Sequence, residues 1–96
     1  MYARLMSFKS IPENRSEIEA IADRASVLVR SMNGFVAAHF VISEDETTYG
    51  ALSFWESKDD VDAAATQLRE ATMPLIQKVA TEASTAMHYE VYEPMV

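Results

Sequence analysis

The chain has 96 residues, of which 49% are hydrophobic and 24% charged, and its net charge is −7 at pH 7. This length and balance are typical of a single globular domain over residues 1–96, without room for a second core. The absence of cysteine excludes disulfides, thiolate metal sites and cysteine nucleophiles, and it fits a reducing cytoplasm. The negative charge disfavours nucleic acid as a partner, and we expect neither a signal peptide nor a membrane helix.

The chain begins with a strand and an amphipathic helix. Tyr2 to Lys9 is rich in strand formers, and Pro12 interrupts that pattern. Ser16 and Glu19 have capping-box spacing, which predicts a helix start, and the turn-forming pair at 33–34 predicts its end. The apolar positions between them recur at steps of three and four, as on one face of a helix: Ile18, Ile21, Ala25, Leu28 and Met32.

Two strands and a second helix follow, before a last strand. Phe35 to Ile42 is a short apolar run, which predicts a strand buried on both faces, and residues 49–55 predict its hairpin partner. Ser57 is expected to start the second helix, and Pro74 is expected to interrupt it. Residues 84–92 return to a strand pattern.

The order β-α-β-β-α-β predicts an α+β, ferredoxin-like sandwich with a four-stranded antiparallel sheet. Right-handed crossovers would put both helices on one face of that sheet. The other face lacks the polar alternation expected of a sheet exposed to water, because its strands carry large apolar residues on both sides. We therefore predict a homodimer in which two sheets stack face to face into a shared α/β barrel.

Three local signatures accompany this order of elements. Met32-Asn33-Gly34-Phe35 closes the first helix, Leu52-Ser53-Phe54-Trp55-Glu56-Ser57 leads into the second, and Tyr89-Glu90-Val91-Tyr92 lies near the end. The chain thereby resembles the antibiotic biosynthesis monooxygenase (ABM) domain family of dimeric α/β barrels, whose members show a Gly-Phe before the second strand and a Trp-x-Ser after the third. The resemblance implies that fold over nearly the whole chain.

The members of this family have different functions, and particular residues distinguish one group of members from another. Some members are cofactor-free monooxygenases of polycyclic phenols, whereas others bind and degrade haem. The haem-degrading members share an Asn on the first strand, a second Trp in the second helix and a His further along it. Here the first strand has no Asn, Ala64 occupies the Trp position, and no His lies between Trp55 and Val79. The resemblance therefore argues against haem degradation, and we expect no cofactor.

Three charged or titratable side chains are candidate catalytic residues. His39 lies in an otherwise apolar strand, where it would be a general base or simply a hydrogen-bonded core residue. His88 shares a strand face with Glu90, but two ligands do not make a metal site, and we expect no metal. Arg4, in the middle of the first strand, would stabilise an anionic substrate or form an ion pair across the sheet or dimer.

Four further residues are candidates for substrate binding. Trp55 and Tyr49 would form the wall of a pocket, although a packing role is the more frequent one for a buried Trp and a buried Tyr usually satisfies its own hydroxyl. Tyr89 would hydrogen-bond a ligand, and Met6 would line an adaptable apolar surface.

These patterns leave two functions open. One is a small monooxygenase without a cofactor, acting on an apolar aromatic or phenolic molecule that supplies the electrons. The other is a non-catalytic dimeric module that binds a ligand or a protein on the same barrel. An isomerase or lyase would need the same pocket as the monooxygenase, so the sequence does not separate these enzymes from it. Because a fold does not determine a function, the content of the cavity between sheet and helices decides between them.

Overall fold

A computed structural model describes residues 1–94 and contains the expected order of elements. A 3-10 turn, Pro12–Asn14, precedes the first helix. The strands and helices are β1 (Tyr2–Lys9), α1 (Arg15–Val29), β2 (Phe35–Ile42), β3 (Thr48–Trp55), α2 (Lys58–Val79) and β4 (Thr85–Glu90). No helix in this part of the chain is both long enough and apolar enough to cross a bilayer.

The four strands form one antiparallel sheet in the order β2-β3-β1-β4. This order puts β1 and β3 at the centre and confirms the ferredoxin-like α+β fold predicted from the sequence. Phe8 and its cross-strand partner Tyr49 pack against Ile18 of α1 and Ile76 of α2, so both helices cover the same sheet face. We call this the helix-covered face and the opposite one the helix-free face.

The core on the helix-covered face has two separate clusters. One surrounds Phe8 and Tyr49, and the other surrounds Trp55 and Val61, which are both 0% exposed. The two clusters lie towards opposite ends of the pair β1 and β3, because Phe8 pairs with Tyr49 whereas Trp55 pairs with Tyr2. The space between them is bordered partly by small side chains, among them Ala51 and Ser53, and it contains the site described below.

The start of α1 differs from the expected capping box. The helix begins at Arg15, so Ser16 lies inside it, and the preceding Asn14 makes no side-chain cap bond. Instead the side-chain amide of Asn14 donates a hydrogen bond to the Val79 carbonyl oxygen at 3.2 Å, which connects this turn to the end of α2. By contrast, Ser57 caps α2 as predicted, because its hydroxyl accepts a hydrogen bond from the Asp60 backbone N–H at 3.1 Å.

Helix α2 runs without interruption through Pro74, so the predicted break at that residue is wrong. A proline inside a helix removes one backbone hydrogen bond and crowds the preceding turn. Buried residues on both sides, Leu68 before it and Ile76 after it, continue the same apolar stripe against the core. Tertiary packing of this stripe outweighs the local cost of the proline.

Strand β2 is an edge strand, and the prediction that both of its faces are buried is wrong for the single chain. Val36, Phe40 and Val41 are 49%, 41% and 51% exposed, respectively. The sheet order explains the difference, because an edge strand has a neighbour on one side only. An apolar run predicted a strand here, but it did not predict the position of that strand in the sheet.

Candidate functional site

A cavity of about 100 Å³ lies between the sheet and the two helices. Its sheet side is formed by Arg4 and Met6 of β1 and by Ala51 and Ser53 of β3. Helix α1 contributes apolar residues around Ala22, and α2 contributes Leu68, Thr72 and Ile76. Phe40, which is 41% exposed, borders the cavity at the edge strand.

The cavity exists because small side chains face one another between the two core clusters. Ala22 and Ala25 on α1 lie opposite Ala51 and Ser53 on β3, whereas the flanking clusters contain aromatic and branched residues. Protein interiors are normally packed with few voids larger than a water molecule. A run of small residues on two facing elements therefore leaves space that the neighbouring large side chains do not fill.

Arg4 is the charged residue at the bottom of this cavity. It is 6% exposed, and its Nε is the sole buried side-chain nitrogen or oxygen within residues 1–94 without a hydrogen-bond partner. The ion pairs of the described chain all involve other residues. Burial lowers the pKa of the Arg4 guanidinium, and the nearby positive charge of Arg69 lowers it further. The ion-pair alternative for Arg4 is thus not realised within the described chain.

Tyr49 and Met6 also line the cavity. Tyr49 is 1% exposed, and its ring stacks on Phe8 with the ring centroids 5.9 Å apart. Its hydroxyl donates to the Glu46 carbonyl oxygen at 2.7 Å, which satisfies that group locally. Burial raises the pKa of Tyr49, and the charge of Glu46 raises it further. The ring is a wall of the cavity, whereas the hydroxyl is engaged by the β2–β3 turn.

Trp55 lies next to the cavity without lining it. Its ring packs edge-to-face against Phe35 with a centroid distance of 5.5 Å. Its Nε1–H donates to the Ser53 hydroxyl at 2.9 Å, and Ser53 is a cavity residue. Trp55 therefore positions Ser53 and anchors the core.

The two histidines lie on opposite faces of the sheet. His39 pairs with Leu52, which alternation places on the helix-free face. His88 pairs with Arg4 on the helix-covered face, where its Nδ1 lies 3.2 Å from the Asp62 Oδ1. A hydrogen bond from Lys58 lowers the pKa of Asp62, and the hydrogen bond with His88 lowers it by a smaller amount. Neither histidine is among the cavity-lining residues.

Of the candidates from sequence, the structure brings Arg4, Met6 and Tyr49 together and leaves Tyr89 apart. Tyr89 pairs with Ala3, on the helix-free face, and is 45% exposed. Sequence reasoning missed Ser53 and Thr72, whose hydroxyl donates to the Leu68 carbonyl oxygen at 2.6 Å. A single polar residue within an apolar strand was the available signal for Ser53.

The cavity combines apolar walls with one buried cation. Besides Arg4 and Tyr49, its lining includes Glu19 as a titratable residue, and Glu19 is paired with Arg15 at the surface. Within residues 1–94, no group of three or more His, Cys, Asp or Glu side chains could hold a metal ion. The arrangement is suited to bind a small molecule that has an apolar body and a negatively charged group.

Fold and site define a ferredoxin-like α+β chain with a small cavity between its sheet and helices. The family model for antibiotic biosynthesis monooxygenase, ABM, matches residues 1–67. The chain belongs to this family.

Several solved structures have the same fold at low sequence identity. A proposed antibiotic biosynthesis monooxygenase from Nitrosomonas europaea has a TM-score of 0.83 at 12% identity, covering 97% of this chain and 100% of that one. NE2512, a protein of unknown function from the same organism, has a TM-score of 0.81 at 14% identity, with 99% and 92% covered. SnoaB, a cofactor-independent oxygenase from Streptomyces nogalater, has a TM-score of 0.77 at 15% identity, with 98% and 95% covered. No curated protein matches the chain.

Proposed function

We propose that this protein is a small cofactor-independent monooxygenase that acts on an apolar aromatic or phenolic molecule. Membership of the ABM family and the similarity of its fold to SnoaB, a cofactor-independent oxygenase, support this proposal. The observation that carries it is the apolar cavity with Arg4 at its base. Such a cavity accepts part of an apolar body, and its arginine stabilises negative charge that develops there.

The proposed reaction takes its electrons from the substrate. An activated methylene group loses a proton, and the resulting carbanion or enolate reacts with dioxygen. The methylene becomes a carbonyl, one oxygen atom enters the product, and the other leaves as water together with the two hydrogens. Arg4 stabilises the anion, and the apolar walls around Met6 and Tyr49 hold the ring and exclude water.

We assign the proton transfer to His88 and not to His39. His88 pairs with Arg4 on the adjacent strand and same face, so their Cβ atoms are about 4.5–5.5 Å apart. The Asp62 carboxylate orients the imidazole, as carboxylates do in many acid–base pairs. His39 belongs to the other face and takes no part in this scheme.

We also propose that two copies of the chain pack through their helix-free faces. Leu5, Met87 and Tyr89 are 39%, 60% and 45% exposed there, which is unusual for an apolar sheet face in a monomer. A standard interface buries about 800 Å² on each partner. In this homodimer His39 and Tyr89 lie in or beside the contact between the sheets.

The experiment is dioxygen uptake by the purified protein with an anthrone-type substrate. We expect uptake equal to product formation, reduced by Arg4→Met and by His88→Gln. His39→Gln is the matched control, because it makes the same change on the opposite face and should leave uptake unaltered. Uptake no faster than that of the substrate alone would contradict the proposal.

A second candidate is a non-catalytic dimeric module that binds a small ligand or a protein, and the small cavity favours it because a polycyclic substrate is not enclosed there. Its volume of about 100 Å³ is below the ~300 Å³ at the lower end of typical ligand pockets. This function predicts saturable binding of an aromatic ligand without dioxygen consumption. Calorimetry and the uptake assay, run on one preparation, separate the two candidates.

A further inference from the structure

Arg4 has an unusual environment for a buried cation. Burying a charge is costly unless it is paired, and natural proteins therefore place a carboxylate or several acceptors beside it. Arg4 is 6% exposed, yet its Nε has no partner, and it forms no ion pair with any residue of the described chain. An uncompensated guanidinium at the base of a cavity has the charge and the donors to pair with an anion.

The neighbouring charges do not compensate the positive charge of Arg4. Arg69 is close enough to lower the pKa of Arg4 by charge repulsion. The acidic side chain that lines the cavity is engaged elsewhere, because Glu19 pairs with Arg15 at the surface. The positive charge at the cavity base is therefore left for a ligand to neutralise.

We propose that the cavity selects a small organic carboxylate, whose acid group contacts the Arg4 guanidinium while its apolar body lies along Met6 and the alanines of α1. The statement that this carboxylate is the substrate rests on the proposed function, whereas the statement that the cavity binds a carboxylate does not. A carboxylate fits better than a phenol because a carboxylate is already charged at neutral pH, whereas a phenol has to lose a proton before it can pair with the guanidinium.

The cavity volume limits how the ligand is held. A cavity of about 150 Å³ holds a benzene ring, and this one is about 100 Å³. The acid group and its neighbouring carbons therefore occupy the enclosed part, and a larger body extends past the exposed Phe40.

The test compares benzoate with benzamide, which has nearly the same shape but no charge. Calorimetry on the full chain should give a dissociation constant for benzoate that is lower by about tenfold or more. Equal affinity for the two compounds, or no binding of benzoate, overturns the proposal. Binding of 4-nitrophenolate without binding of benzoate also overturns it, because the site then selects a phenolate.

Two variants connect the effect to Arg4. Arg4→Met should abolish the preference for benzoate and should raise the melting temperature of the ligand-free protein, because an unpaired buried charge is removed. Arg4→Lys should keep a weaker preference, since an ammonium group lacks the planar fork that matches a carboxylate. Arg24→Met is the control, as it makes the same change at an exposed position of α1 and should alter neither property.

The outcomes for this site and for the enzyme are separate. Benzoate selection with no dioxygen uptake on any substrate would end the monooxygenase proposal and leave the carboxylate site standing. Dioxygen uptake with no benzoate selection, or a preference that survives in Arg4→Met, would overturn the carboxylate site alone. If Arg4→Met does not fold, the benzoate and benzamide pair on the unaltered chain and on Arg4→Lys still decides the question.

Discussion

Both faces of the sheet carry large apolar side chains, yet these side chains differ sharply in burial. On the helix-covered face Tyr49 is 1% and Phe8 6% exposed, whereas on the helix-free face Met87 is 60% and Tyr89 45% exposed. The difference arises because α1 and α2 both pack on one side. Apolar residues on either face are stabilised by being covered. The topology decides that the single chain covers only one of the two faces with its helices.

The largest expected effect comes from truncating a matched pair of apolar residues on β1 and β4. Phe8→Ala should destabilise the chain by about 3–5 kcal/mol, because it leaves a cavity in a packed core. Met87→Ala on the helix-free face should cost less than about 1 kcal/mol at protein concentrations low enough to disfavour association. Urea denaturation followed by circular dichroism measures both, and similar costs would contradict the contrast between the faces.

The second prediction addresses what covers the helix-free face. Leu5→Arg should convert a particle of twice the chain mass into one of single mass, because a buried unpaired charge opposes stacking of two sheets. Val27→Arg, at a helix position that is 71% exposed, is the control and should keep the larger mass. Sedimentation velocity measures the mass, and an unaltered chain that sediments as a monomer would remove the proposed homodimer.

A smaller effect is expected from one hydroxyl on each face. Ser53→Ala removes the acceptor of the buried Trp55 Nε1–H and should cost about 1–3 kcal/mol. Ser7→Ala on the other face should change stability by roughly 0.5 kcal/mol or less, because Ser7 Oγ makes one exposed hydrogen bond with Thr85. The same urea titration gives both values. A cost of Ser53→Ala as small as that of Ser7→Ala would show that the Trp55 donor finds another partner.

The smallest effect concerns the β2–β3 turn, which belongs to neither face. Hydrogen bonds from the Ser43 and Thr47 hydroxyls lower the pKa of Asp45 from 3.8 to about 2. A carboxyl with a lowered pKa stabilises the fold above its unfolded pKa, and this contribution is lost as pH falls from about 4 through 2. Asp45→Asn should therefore flatten the stability profile in that window, and Glu44→Gln should not. Melting temperatures across the pH range measure this, and parallel profiles for the two variants would contradict it.

The sequence predicted the fold well because its signals are local. Strand β1 and strand β2 have the predicted bounds, Ser57 caps α2, and the order of elements gives the ferredoxin-like topology. The failures at Pro74 and at the start of α1 are places where contacts with distant residues outweighed a local rule. The cytoplasmic location stays a prediction from composition.

The candidate site was predicted in part. Alternation along β1 and β3 gives Arg4, Met6 and Tyr49 a common face, and these three do line one cavity. His39 was separated from them by its register with Leu52, which no pattern within β2 could reveal. His88 acquired Asp62 as a partner from a helix that is distant in sequence, and this pairing also had no local signature.

The sequence by itself determined the strands, the helices and the excess of apolar surface, because these follow from periodicity and capping within short segments. Only the tertiary structure decided that Arg4 is buried without a counter-ion and that a void lies above it. The physical reason is that a void reflects side-chain volumes summed over β1, β3 and both helices. The lack of a counter-ion for Arg4 likewise depends on the positions of all the acidic side chains in the folded chain.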